Sequence, residues 1–182
     1  METIPIEVAK EHGINTKHST MDNGEIRYRL ISSSDNSSYV RAEATEYGGW
    51  QNSHFHKFSN EIYVVQSGKI IIVELLEKNI KITKLKENEM YKLKPNIYHN
   101  VYMYPNAVTH TIKYGKSIPS LDWFKCEMLD DLIMSLNIPR MHYNKGCNEI
   151  YSAANIERLE KAINDAKEGK LTVHELVEYE DE

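Results

Sequence analysis

Between Glu25 and Lys113 apolar and polar positions alternate in short runs, and turn-forming residues separate the runs. "EIRYRLIS" and "SYVRAEATEY" flank the Ser/Asp/Asn-rich "SSDNS", and "EIYVVQ", "KIIIVELL", "IKITKL", "EMYKLK", "YHNVYMY" and "AVTHTIKY" follow. The intervening "SG", "EKN", "KEN", "KPN" and "PN" are the residues expected of hairpins and tight turns. Many short strands at close spacing predict a mainly β sandwich or barrel rather than alternating β/α units. Past Gly115 the period becomes helical. "LDWFKCEMLDDLIMSLN" places Leu129, Leu132, Ile133 and Leu136 on one face, and Pro139 stops it. "HYNKGCNE" reads as a linker. A second helix is expected from its N-cap Ser152 to about Glu168, with Gly169 at the C′ position and a capping-box "TVHE" opening a last short helix. The pattern divides the chain into an N-terminal extension (1–24), a β domain (25–118), a packed helix with linker (119–150) and a helical tail (151–182).

Composition narrows the partners. A chain of 182 residues with 41% hydrophobic content can bury one sizeable core. A formal charge of −5 leaves no basic stripe for nucleic acid. No apolar stretch reaches the length of a membrane span, and "METIPIEVAKEHG" lacks the blocks of a secretory signal, so a cytoplasmic protein is expected. Cys126 and Cys147 stand far apart and read as free thiols. Neither has an oriented base nearby in sequence, as a nucleophile requires.

The candidate chemistry lies in "HFHKFSNE". If this stretch is extended, His54 and His56 share one face, and Glu61 opens the next strand after a short connection. His99 begins a later strand. Three imidazoles and one carboxylate suit a divalent first-row metal and leave positions open for a ligand. The same residues also fit an ordinary polar turn, and spacing alone leaves both readings open. Alternation carries Tyr63, Val65, Val101 and Met103 inward with them. If "YPNA" is a tight hairpin, Val101 pairs with His110, and His110 joins the inward face. His110 and Tyr63 are then the candidate acid/base or substrate contacts. Trp50 is a candidate for the mouth, whereas alternation does not say which of Arg27, Arg29 and Arg41 point inward.

Gly48, His54, His56, Glu61 and Gly68 match G-x5-H-x-H-x4-E-x6-G, the first motif of the cupin superfamily, at every fixed position. "NEMYKLKPNIYHNVYM" resembles the second motif, with Asn88 and Asn96 where glycines usually stand and Pro95 one residue past the usual proline. Asparagine tolerates positive φ best among the other residues, so both turns stay feasible. The resemblance covers roughly residues 25 to 114. It implies a jelly-roll barrel (double-stranded β-helix), often a homodimer, followed here by C-terminal helices. It also implies that His54, His56, Glu61 and His99 hold a divalent ion (iron, manganese, nickel, cobalt or zinc). Cupins with this ligand set include oxygenases, decarboxylases and isomerases acting on small molecules, and others only bind a ligand.

The tail resembles the toxin-binding segment of RelB/YefM-type antitoxins through Ser152, Asn155, Arg158-Leu159, Ala162-Ile163, Gly169-Lys170 and "HEL" at 174–176. That resemblance implies a RelE/YoeB-like toxin as partner, with Asn155, Ile156, Arg158, Leu159 and Ile163 on the contact surface. A terminal helix docked on its own domain would carry the same apolar stripe.

Overall fold

The computed structural model describes residues 4–76 and 79–136. Asn155, Ile156, Arg158, Leu159 and Ile163, with the whole antitoxin-like tail and Cys147, lie outside the described residues. The elements in chain order are α1 (Ile6–Glu11), β1 (Ile14–Thr20), β2 (Ile26–Ser32), β3 (Ser38–Glu43), β4 (Gly49–Trp50), β5 (His54–Phe55), β6 (Asn60–Ser67), β7 (Lys69–Leu75), β8 (Ile80–Lys86), β9 (Met90–Leu93), β10 (Tyr98–Met103), β11 (Val108–Tyr114), β12 (Phe124–Lys125) and α2 (Glu127–Leu136).

Two antiparallel sheets form a jelly roll. One has the order β1-β2-β3-β11-β6-β9; the other runs β12-β5-β10-β7-β8, with β4 also paired to β10. Inward residues of both sheets meet in a core of Tyr63, Val65, Ile70, Ile72, Leu85, Leu93, Val101 and Met103. Strand β7 reads as an unbroken apolar run because both of its faces are covered. Ile70 and Ile72 enter the core, while Ile71 and Val73 pack beneath Leu129, Ile133 and Cys126 of the α2 region. Trp50 belongs to this outer layer, edge-on to Tyr102 at 5.3 Å, and so is a packed aromatic and not part of the mouth.

Three departures from the sequence pattern shape the site. The segment before Glu25 is part of the barrel, since β1 pairs with β2 along its whole length. "INTKHST" has one large apolar residue because an edge strand with a wet face needs little more. The predicted helix begins late: Leu121–Trp123 form a loop, β12 follows, and α2 starts at Glu127. Finally, Tyr104–Ala107 is a tight turn, with the Ala107 amide donating to the Tyr104 carbonyl at 3.0 Å, but it is not a hairpin. It carries the chain from one sheet to the other, so β10 pairs with β7, β5 and β4 while β11 pairs with β3 and β6.

Candidate metal centre

His54 sits on β5 directly opposite His99 on β10, and Glu61 opens β6 in the facing sheet. His56 follows β5 by one residue. The four side chains are 6%, 4%, 2% and 2% exposed for His54, His56, Glu61 and His99, and one ligand atom from each falls within 4.8 Å of all the others. Turn chemistry holds the strands at this spacing. Asn88 and Asn96 adopt φ of +66° and +63°, as their glycine-like positions require, and the Asn96 amide donates to the His56 carbonyl at 2.7 Å. Gly48 has φ +68°, and a Cβ there would lie 2.5 Å from the Met103 carbonyl oxygen.

Each imidazole is fixed by a main-chain carbonyl. Nδ1 of His54 reaches the Asn52 oxygen at 2.8 Å, Nδ1 of His99 reaches that of Ile97 at 2.9 Å, and Nδ1 of His56 bonds that of Asp122. A carbonyl only accepts, so each Nδ1 carries the proton and each Nε2 presents a lone pair. This is the orientation that metal-bound histidines adopt through their outer contacts. Glu61 Oε2 and His99 Nε2 are buried 2.9 Å apart without a hydrogen bond, and Glu61 Oε1 meets only the Lys113 ammonium at 3.1 Å. Buried acceptors turned toward one another without a proton between them are costly, and a cation among them removes the cost. The donor set fits a divalent ion.

The electrostatics agree. Burial first, and then His99, pull the His54 imidazole well below its ordinary range, which keeps it neutral. Burial alone would raise the Glu61 carboxyl, but Lys113 and His99 outweigh it and hold the group well below the usual carboxylate range. Burial and the Glu61 charge push the Tyr63 hydroxyl far up, so it remains an O–H donor.

The barrel opens beside this cluster into a cavity of about 470 Å³. Tyr63 lines it, its ring 6.5 Å from that of His99. His110 does not. Because the turn at 104–107 changes sheets, His110 pairs with Val64 and Arg41 instead of Val101. Its ring lies on the outer face, bonded to Tyr39 at 2.7 Å and Gln66 at 2.8 Å. The inward residue of that strand is Lys113, opposite Glu61, with Nζ 3.1 Å from Glu61 Oε1 and 2.9 Å from His56 Nε2. Sequence reasoning missed Lys113 because the assumed hairpin gave β11 the wrong phase.

It also missed Asp122, hidden in the expected helix. The Asp122 carboxylate accepts from the amides of Lys57, Phe58 and Ser59 and from the Ser59 hydroxyl, closing the His56–Glu61 connection. Trp123 beside it stacks on His54 at 5.4 Å. Behind the histidines, Asp130 of α2 accepts from the Ser53 amide at 2.9 Å and from Asn100 Nδ2 at 3.2 Å, tying β5 and β10 to the helix.

No family model and no curated protein matches the chain. Solved structures do. CapF, a capsular polysaccharide assembling protein from Staphylococcus aureus, superposes with TM-score 0.51 at 19% identity over 60% of this chain and 32% of its own. Oxalate decarboxylase from Bacillus subtilis, in a study of its Mn(II) centres, gives 0.52 at 16% identity, covering 77% and 38%. The same enzyme at pH 4.6 gives 0.53 at 14%, covering 85% and 47%. The chain thus spans about a third to a half of the proteins it resembles. These are cupin-fold proteins, and the two antiparallel sheets have the same architecture: the chain has the cupin jelly-roll fold.

Proposed function

We propose that this chain binds one divalent transition metal through His54, His56, Glu61 and His99, and that it binds or transforms a small molecule in the adjoining cavity. The observation that carries the reading is the outward-anchored Nδ1 of all three histidines. It turns three Nε2 atoms and the buried Glu61 carboxylate toward one point, where Lys113 is the cation already beside them. The Mn(II) centres of the oxalate decarboxylase that shares the fold add support for a divalent ion. Bound there, the ion supplies Lewis acidity and open positions for an oxygen-donor ligand.

The protein groups around it have separable tasks. Lys113 donates a hydrogen bond to the lone pair of His56 Nε2, so it must release that nitrogen for His56 to ligate, and its ammonium then faces the cavity. Tyr63 donates a hydrogen bond from a hydroxyl that stays protonated. Trp123 and the loop from Ile118 wall the cavity and limit water at the ligand.

Elemental analysis of the full chain, purified without a histidine tag, tests the reading. About one divalent ion per chain is expected. His56→Ala combined with His99→Ala should remove it while the far-ultraviolet spectrum keeps its β character. Equal metal content in the double variant would reject the site.

A further inference from the structure

The cavity extends away from the metal corner across the inner face of the first sheet. Register places Tyr63, Thr111, Val40, Arg29 and Lys17 in one continuous cross-strand row, running from beside Glu61 to the edge strand β1. Tyr63, Arg29 and Lys17 all line the cavity. The cations of this wall are not equivalent. Arg27 is neutralised by the buried Glu25 carboxylate at 2.5 Å, which Gln51 also holds. Arg29 has only neutral partners, donating to Ser19 Oγ at 2.6 Å and to Met21 Sδ at 3.6 Å. Among the described residues neither Arg29 nor Lys17 forms an ion pair. Burial, followed by the nearby Arg27 charge, lowers the Arg29 guanidinium from its ordinary value, and the Glu25 charge does not fully offset them.

A half-buried guanidinium with unused donors, facing a cavity whose other end holds a metal corner, is arranged to receive an anion. The two ends are not adjacent. Lys113 on β11 and Arg29 on β2 stand two strands apart and two residues out of register, roughly 12 Å at the usual strand dimensions. Both side chains line the same cavity, so one small ligand can meet both.

We infer that the small molecule is a two-ended acid: one carboxylate binds at the metal beside Lys113, and a second anionic group, carboxylate or phosphate, docks on Arg29 and Lys17. This inference rests on the proposed metal site. It names the class of ligand and the residues that choose it. A monoacid of the same length would satisfy the metal and leave Arg29 unmatched.

Calorimetry on the full chain loaded with Mn(II) tests it, with glutarate and 3-phosphonopropionate as two-ended probes and butyrate as the one-ended control. At least one two-ended probe should bind about tenfold or more tightly than butyrate. Arg29→Met should reduce that probe to the butyrate level with its metal content unchanged. Lys17→Met, at an exposed edge position that does not threaten folding, should weaken the same probe and spare butyrate. Full metal content with no preference for either two-ended acid, or a preference that survives both substitutions, would overturn the two-ended ligand alone. Metal content near zero in the parent protein would overturn the metal site and the ligand class together.

Discussion

At the residue scale, His54, His56, Glu61 and His99 were named from the sequence by their match to the cupin motifs, since their spacing alone also fits an ordinary polar turn. The residues that tune them were not. Lys113 and Asp122 reach the site through pairing and a loop closure that local patterning does not encode. The titration of the corner has a definite sign. The folded His54 imidazole sits well below its ordinary value, so the unfolded chain takes up a proton that the folded one refuses. Its penalty on folding is absent above the ordinary histidine range and grows as pH falls below it. Glu61, also depressed, contributes stability above the ordinary carboxylate value and loses it as pH drops through its lower folded value. Both act in one direction, but only His54 titrates between pH 7.5 and pH 5: metal-stripped protein should lose stability there by up to about 1.4 kcal/mol per pH unit, with the Glu61 loss following at lower pH. Urea midpoints of chelator-treated protein at the two pH values check this, and a midpoint that holds or rises toward pH 5 would contradict it. Gly48 makes a second case. Ala at φ +68°, with its Cβ against the Met103 carbonyl, should cost about 1–3 kcal/mol in the same titration. Wild-type stability would show that the turn relaxes freely.

At the scale of elements, the strands with strong alternation or a continuous apolar run appear where the pattern put them. The two-residue strands β4 and β12 do not, because two residues carry no period, whereas β5 falls within the stretch expected to be extended around His54. The exception with consequences is β11, whose phase depended on a hairpin that the fold does not make. Helix α2 keeps its expected apolar face, with Leu129 and Ile133 buried against Ile71 and Val73. Its polar side also has a task. Asp130 satisfies the Ser53 amide and, with Ser53 Oγ, binds the buried Asn100, so it fixes the residues next to His54 and His99. Asp130→Ala leaves a buried amide unmatched, which costs about 1–3 kcal/mol. It should also weaken metal binding about 10- to 100-fold by freeing the two strands. Chelator competition reads the second effect separately from folding. An unchanged metal affinity would mean that the helix supports the barrel but not the ligands.

For the whole molecule, the two sheets close around a corner of charge that the apolar core does not need. If the corner holds an ion, binding is linked to folding, because the unfolded chain has no assembled site. Metal at about a hundred times its dissociation constant should stabilise the protein by about 2.7 kcal/mol, raising the melting temperature reversibly with chelator. The His99→Ala chain should melt at one temperature with or without metal. A parent protein indifferent to both metal and chelator would count against a bound ion.

The sequence by itself determined the class of fold and the ligand types. Alternation, turn residues and the His/His/Glu/His set are local properties, and local properties are written in the order of residues. Asparagine at Asn88 and Asn96 kept the turns that glycine would otherwise make, because its short polar side chain tolerates the same backbone angles. Only the tertiary structure decided which strand faced which. That choice turned His110 outward and Lys113 inward, brought β1 and β2 into the cavity wall, and set Arg29 in line with Tyr63. The reason is physical: a strand has two faces, and which one lies inside is fixed by its partner across the sheet, often distant in sequence.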